Sequence, residues 1–265
     1  MVSLFTVDDR YKPEDFDLRV LDVFEDPTSA DFSRNLLDIP NQAGRRLVNE
    51  KIETRPIQIA AKFYEDDHVD VNQKLNDLKS IFQDENGKYK EIKLEIDHWQ
   101  NKYVKAHLAT PIDSDRKRMS GELTLDFICY DPLKYSTINA SEIAWGNEVI
   151  DFTSSYKMGH TGVEASKHVN TSTSLNIEVD GLTFAPVFKL DGRSDSVTFE
   201  LNGQSFTLGQ FNGVWEIEQY SAKLNGQERF VDNRRLKLKQ GQNELKITGS
   251  NMNFDLDVDF RDRYN

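Results

Sequence analysis

Cysteine is almost missing from this sequence: Cys129 is the only one in 265 residues, which excludes an internal disulfide framework. Long apolar runs are missing too. No stretch approaches the roughly 18 apolar residues that a spanning helix needs, so no membrane insertion is expected. The first sixteen residues, MVSLFTVDDRYKPEDF, lack the basic segment and apolar stretch of a signal peptide, and synthesis in a reducing cytoplasm is the expectation. Positive charge is in short supply, with 33 Lys and Arg against 45 Asp and Glu and a net charge of −12. Gripping nucleic acid needs clustered Lys and Arg at phosphates, so that class of function is disfavoured. Catalytic signatures are missing as well: there is no phosphate-binding loop, Rossmann fingerprint, Ser-His-Asp arrangement or CxxC, and no cofactor is implied.

What is present is mostly strand. At roughly 100–200 residues per domain the length fits one large or two medium domains. A single stretch has a helical stripe: in DVNQKLNDLKSIFQDENGK, Val71, Leu75, Leu78 and Phe82 recur on one face, with Ile81 beside them. Asp70 is placed as its N-cap and Asn86-Gly87 as its stop. Around it, Leu18–Phe24, Pro56–Tyr64, Glu91–Ile96, Lys102–Leu108 and Gly121–Tyr130 alternate like half-buried strands, the third and fourth forming a hairpin across His98-Trp99-Gln100-Asn101. Asp131-Pro132 ends the last of them, because proline supplies no ladder donor.

The texture changes between Asp131 and Ile143. Beyond it, short strands arrive about every 8–12 residues with no helical stripe, the pattern of an antiparallel sandwich. Four dipeptides, Asp180-Gly181, Asp191-Gly192, Asn202-Gly203 and Asn225-Gly226, read as tight hairpin turns. The expected fold is therefore mainly β, with a β-sandwich-type domain carrying one α-helix at residues 1–137 and an antiparallel β-sandwich at 138–265.

Several residues are candidates for chemistry. Cys129 falls on the apolar face of its strand, as a buried structural thiol does. Asp255, Asp257 and Asp259 share a strand face, where carboxylates serve glycoside chemistry or Ca²⁺ binding, but neighbours about 7 Å apart on a solvated face account for them equally. His98 and His107 approach across a hairpin without a third zinc ligand. Arg45-Arg46, Arg116-Lys117-Arg118 and Arg234-Arg235 are short basic clusters, and His68, His160 and His168 have no partner motif. Aromatics on a sandwich face stack sugars or, more often, form core, and both readings are open for Trp215 and Tyr220. Leu36 to Lys51 mixes the apolar Leu36, Leu37, Ile39 and Leu47 with Arg45 and Arg46 and lacks clean strand alternation. A long segment of that kind in a compact domain is usually functional.

The order of the first-half motifs resembles the distal tail proteins of long-tailed, siphovirus-type bacteriophages. It runs from IPNQAGRRLVNEKIETRPIQIAAKF through VNQKLNDLKSIF, KYKEIKLEID and KYVKAHL to LTLDFICYDPLKY, in which Leu123, Thr124, Phe127, Cys129, Asp131, Pro132 and Tyr135 fit the closing pattern. The resemblance covers about residues 1–137. Arg261-Asp262-Arg263-Tyr264 is compatible with the basic-aromatic ending of such chains, whose second domain is galectin-like in some members.

The resemblance implies a non-enzymatic structural hub at the virion tail tip. It also implies a homohexamer ring built from the first domain, with the tail tube protein on one face and a tail-associated tip, receptor-binding or baseplate protein on the other. DNA would pass through the lumen without being bound specifically, and surplus carboxylates suit such a wall. On this reading Leu36, Leu37, Ile39, Arg45, Arg46 and Leu47 form an intersubunit arm. The alternatives are a carbohydrate-binding module for host cell-wall polysaccharide using Trp215 and Tyr220, and a glycoside hydrolase using Asp255, Asp257 or Asp259.

Overall fold

The computed structural model describes residues 4–25, 27, 29–41, 43–64, 68–117, 120–139, 166–232 and 236–265. His160, Arg118, Arg234 and Arg235 lie outside the described residues. Two compact units emerge, Met1–Lys134 with Asn265, and Tyr135–Tyr264.

In the first unit the strands are β1 (Phe5–Val7), β2 (Leu18–Glu25), β3 (Phe32–Asp38), β4 (Arg45–Ile52), β5 (Arg55–Tyr64), β6 (Ile92–Ile96), β7 (Lys102–Leu108), β8 (Asp113–Lys117) and β9 (Ser120–Cys129), with one α-helix among the described residues, α1 (His68–Ile81). The main sheet runs β1-β6-β7-β9-β5-β2, with β8 on the flank of β9. Period-2 patterning sets which side chains it buries. Ile57, Ile59, Ala61 and Phe63 of β5 and Leu123, Leu125, Phe127 and Cys129 of β9 all enter one core, opposite charged neighbours such as Lys62 and Glu122. At about 1.5–3 kcal/mol per large buried side chain, this alternation is the main force holding the unit together. Leu78, Ile81 and Phe82 join the same core from the helical stripe, Phe82 meeting the Phe127 ring edge-on at 5.6 Å.

The ends of that helix differ from expectation. It begins at His68, so Asp70 lies in its first turn rather than capping it. It ends at Ile81, and Asn86-Gly87 belongs instead to a separate turn in which Gly87 adopts φ 75° and Asp84 pairs with Lys88. The helix stops before the expected end because Gln83 and Tyr89 bridge as extended chain.

A strand at the boundary, β10 (Lys134–Ser136), leads into the second unit. There, β11 (Ser166–Val169), β12 (Thr173–Val179), β13 (Val187–Ser194), β14 (Ser196–Leu201), β15 (Gln204–Leu208), β16 (Phe211–Ile217), β17 (Ala222–Leu224), β18 (Gln227–Glu228), β19 (Gly241–Ser250), β20 (Asn253–Asp259) and β21 (Arg263–Tyr264) follow. The first ten of these form a six-stranded sheet, β11-β20-β13-β16-β17-β18, and a four-stranded one, β12-β19-β14-β15. Both sheets feed one core, with Phe188 of the first sheet 5.6 Å from Phe199 and 5.8 Å from Phe206 of the second.

Two of the four turn dipeptides behave as read: Asn202-Gly203 joins β14 to β15 and Asn225-Gly226 joins β17 to β18, each pair with positive φ. The other two do not. Asp180-Gly181 follows β12, whose partner is β19, so it closes no hairpin. Asp191-Gly192 sits mid-strand in β13, and a Cβ on Gly192 would lie 2.4 Å from the Asn253 carbonyl oxygen. The glycine is there for close strand approach, not for a turn.

Asp262 closes the unit and is buried. Burial pushes its carboxyl up to about 6, against the backbone hydrogen bonds it accepts from Asp180 and Gly181. A folded value above the unfolded one, 3.8, means the folded unit holds a proton that the unfolded chain releases. Its contribution is complete below about pH 4 and is lost as pH rises through about 6. Urea unfolding of the native chain and Asp262→Asn at pH 4, 5, 6 and 7 should show the native chain losing about 2–3 kcal/mol relative to the variant across that range.

The candidate assembly surface

The segment expected to be an irregular arm is a regular antiparallel hairpin. Strands β3 and β4 pair only with each other among the described residues. The register runs Phe32–Ile52, Arg34–Glu50, Leu36–Leu47 and Asp38–Arg45, alternating with Ser33–Lys51, Asn35–Asn49 and Leu37–Arg46. A bulge between Asn35 and Leu36 inserts Val48 into β4, which is why no clean alternation is visible in the sequence.

Cross-strand partners share a face. The first set therefore puts two apolar pairs and two ion pairs on one side, with Arg34 Nε 2.5 Å from Glu50 and Arg45 Nε 2.9 Å from Asp38. The second set is polar except for Leu37. Every residue of β3 and all but Ile52 of β4 are exposed, including Phe32, Leu36, Leu37, Leu47 and, at 65%, Val48. Ile39 is half-buried in the connecting loop, and Arg46 is exposed with no ion pair among the described residues.

Exposed ion pairs contribute about 0–1 kcal/mol each, and an isolated two-stranded hairpin is marginal in water. Five exposed large apolar side chains on two open strand edges are what a subunit interface requires before it is filled. Phe32 and Val48, exposed on the same hairpin, are not singled out by the sequence pattern. The mirrored charges, Arg34 with Glu50 and Asp38 with Arg45, are the signal that would have revealed the hairpin.

The hairpin emerges from a fixed base. Arg55, three residues after β4, is fully buried; its Nε donates to the Pro132 carbonyl at 2.9 Å and its Nη1 to the Pro27 carbonyl at 2.6 Å. That side chain ties the chain entering the hairpin to the start of β5 and to the end of the β9 segment.

The remaining candidates separate. Cys129 is fully buried, as its position on the strand implies. Trp215 is a correction: it is 7% exposed and belongs to the sandwich core, so no ring face is left for a sugar. It faces inward with Ile217, as strand alternation from Phe211 dictates. Tyr220 is 82% exposed, in the turn between β16 and β17. Asp255, Asp257 and Asp259 lie on the outer face of β20. Asp255 meets His168 at 2.7 Å and Asp259 meets Lys189 at 2.5 Å. Burial and the neighbouring Asp259 push Asp257 up. Burial also acts upward on Asp259, but hydrogen bonds from Asn139 and Lys189 outweigh it and hold that carboxyl below its ordinary value. His98 meets the Trp99 ring edge-on, whereas His107 meets the Tyr130 ring edge-on, so the two histidines have different neighbours. No helix among the described residues is long and apolar enough to cross a membrane.

Residues 14–129, most of the first unit with the hairpin included, match the family model of the phage tail protein RIFT-related domain. The whole chain shares its fold with the Dit protein of phage SPP1, described as a hub of the adsorption apparatus in phages infecting Gram-positive hosts. The TM-score is 0.71 at 14% identity, covering 100% of both chains. A chain of the phage P2 baseplate in its activated conformation with Ca aligns at TM-score 0.49 and 11% identity, over 100% of this chain and 99% of that one. No curated protein sequence matches.

Proposed function

We propose that this chain is the hub of a siphovirus tail tip. Six copies, the ring order that the family resemblance implies, close into a ring through the first unit. One face of the ring receives the tail tube protein and the other a tip, receptor-binding or baseplate protein. DNA passes through the lumen without specific contacts. The chain is made in the host cytoplasm and works by assembly rather than by catalysis.

The observation that carries this reading is the β3–β4 hairpin, a two-stranded arm on a phage tail domain with an apolar face that its own subunit leaves uncovered. Closed rings need a heterologous interface, in which one subunit's arm seats on a different patch of the next. The net charge of −12 suits a channel through which polyanionic DNA must slide. Whole-chain likeness in fold to the SPP1 hub protein supports the same placement.

Antibody raised against the chain, applied to intact virions of the encoding phage, should decorate only the end of the tail distal to the capsid. Gold spread along the tube, or none on the virion, would refute the placement.

A further inference from the structure

One end of the sandwich carries a cleft of about 610 Å³, within the range of small-ligand sites. Three connections between the two sheets converge there: Asp195 between β13 and β14, Gln210 between β15 and β16, and Asn251 between β19 and β20. Loops that crowd one end of a rigid sandwich are where such folds place binding residues.

The walls are held in place. Asn251, in the left-handed region at φ 49°, donates from Nδ2 to Asp195, whose backbone N–H donates to the Ser250 carbonyl at 3.1 Å. Buried Ser194 donates from Oγ to the carbonyls of Ser196 and Ser250, at 3.0 and 3.1 Å. Along the outer face, Asn253, Arg193 and Asn212 form one cross-strand row, Arg193 being the register partner of both asparagines. All three side chains are exposed, line the cleft and have no hydrogen-bond partner among the described residues.

This row presents a guanidinium flanked by two amides, spaced by the strand separation of about 4.8 Å. The amides offer both donors and acceptors, and the guanidinium offers a fork of donors. The charge around the cleft argues against an anion. Arg193 is offset by Asp195, and the next row on the same face pairs Asp191 with Asp255. An apolar ligand would leave the row unpaired on binding. A neutral ligand dense in hydroxyl groups satisfies both conditions.

We infer that the Asn253–Arg193–Asn212 row and its cleft bind a neutral glycan. This site is separate from the assembly hairpin, and its test does not depend on ring formation. It also replaces Trp215 as the sugar contact, since the recognition is by hydrogen bonds and not by ring stacking.

The full chain should be applied to an array of neutral, uronate-bearing and sulfated glycans, and titrated by calorimetry with the best neutral oligosaccharide. At least one neutral glycan should be retained, with affinity falling about tenfold in Arg193→Ala and comparably in the Asn212→Ala, Asn253→Ala pair, because a hydrogen bond to a charged donor is worth about one decade or more. Tyr220→Ala should leave binding unchanged. These side chains are exposed, so unchanged thermal melting will separate lost binding from lost fold. Retention of no neutral glycan, retention of acidic glycans alone, or binding that survives the cleft substitutions would each overturn the inference.

Discussion

Replacing Leu36 and Leu47 together by Glu is expected to abolish the proposed self-association while leaving the subunit folded. The two residues are cross-strand partners on the apolar face of the hairpin, and both are about half exposed in the isolated chain. Substitution at exposed positions moves stability by about 0.5 kcal/mol or less, so melting of the subunit is preserved. In the proposed ring the same positions would be covered. There, each leucine contributes about 1.5–3 kcal/mol, and an unpaired carboxylate adds a desolvation cost of several more. At 1.4 kcal/mol per decade, each interface weakens by at least about a thousandfold. Light scattering of the native chain and the double variant at one concentration reads this directly. Asn35→Ser, on the polar face, serves as the control and leaves the mass unchanged. A double variant that assembles like the native chain would remove the hairpin from the interface.

Arg55→Ala carries the largest expected loss of stability. The guanidinium is fully buried, and its bonds to the carbonyls of Pro27 and Pro132 are charge-assisted. Truncation forfeits both, strands two carbonyls and opens a void as large as the side chain. Charge-assisted bonds are worth about 1.5–3 kcal/mol each, so a loss of about 3–5 kcal/mol is expected. Arg55→Lys retains the charge but not the fork, and should recover only part of it. Urea unfolding gives the total. Hydrogen exchange places it: amides of β5 and β9 should lose protection while those of β13 and β20 keep theirs. A loss under about 1 kcal/mol would show that Arg55 does not anchor the hairpin base.

Sequence patterning was most informative where one physical cause dominated. Ile92, Leu94 and Ile96 alternate because one face is buried, and β6 spans those residues. Cys129 could be assigned to the core by the same parity. The helix was found from its stripe, but its ends were misjudged because the stripe continues to Phe82, one residue beyond the last helical turn. Asn202-Gly203 and Asp191-Gly192 look alike in sequence. They differ because only the second lies where β20 crowds the backbone, a tertiary fact.

The β3–β4 hairpin stands out in the sequence by its misplaced leucines, but its strand character is hidden by the Val48 bulge and its buried anchor, Arg55, gives no signal. Trp215 and Tyr220 show the limit of residue type: an aromatic suits a core as well as a sugar, and parity alone sent Trp215 inward. The cleft row was beyond reach, since Arg193, Asn212 and Asn253 come together only through the pairing of β13 with β16 and β20.

Electron micrographs of the purified full chain, alone and mixed with the tail tube protein of the same phage, decide whether the chain builds the proposed ring. Closed rings with a central channel and six subunits around it are expected. Only single subunits in both preparations, at high protein concentration, would contradict the proposal.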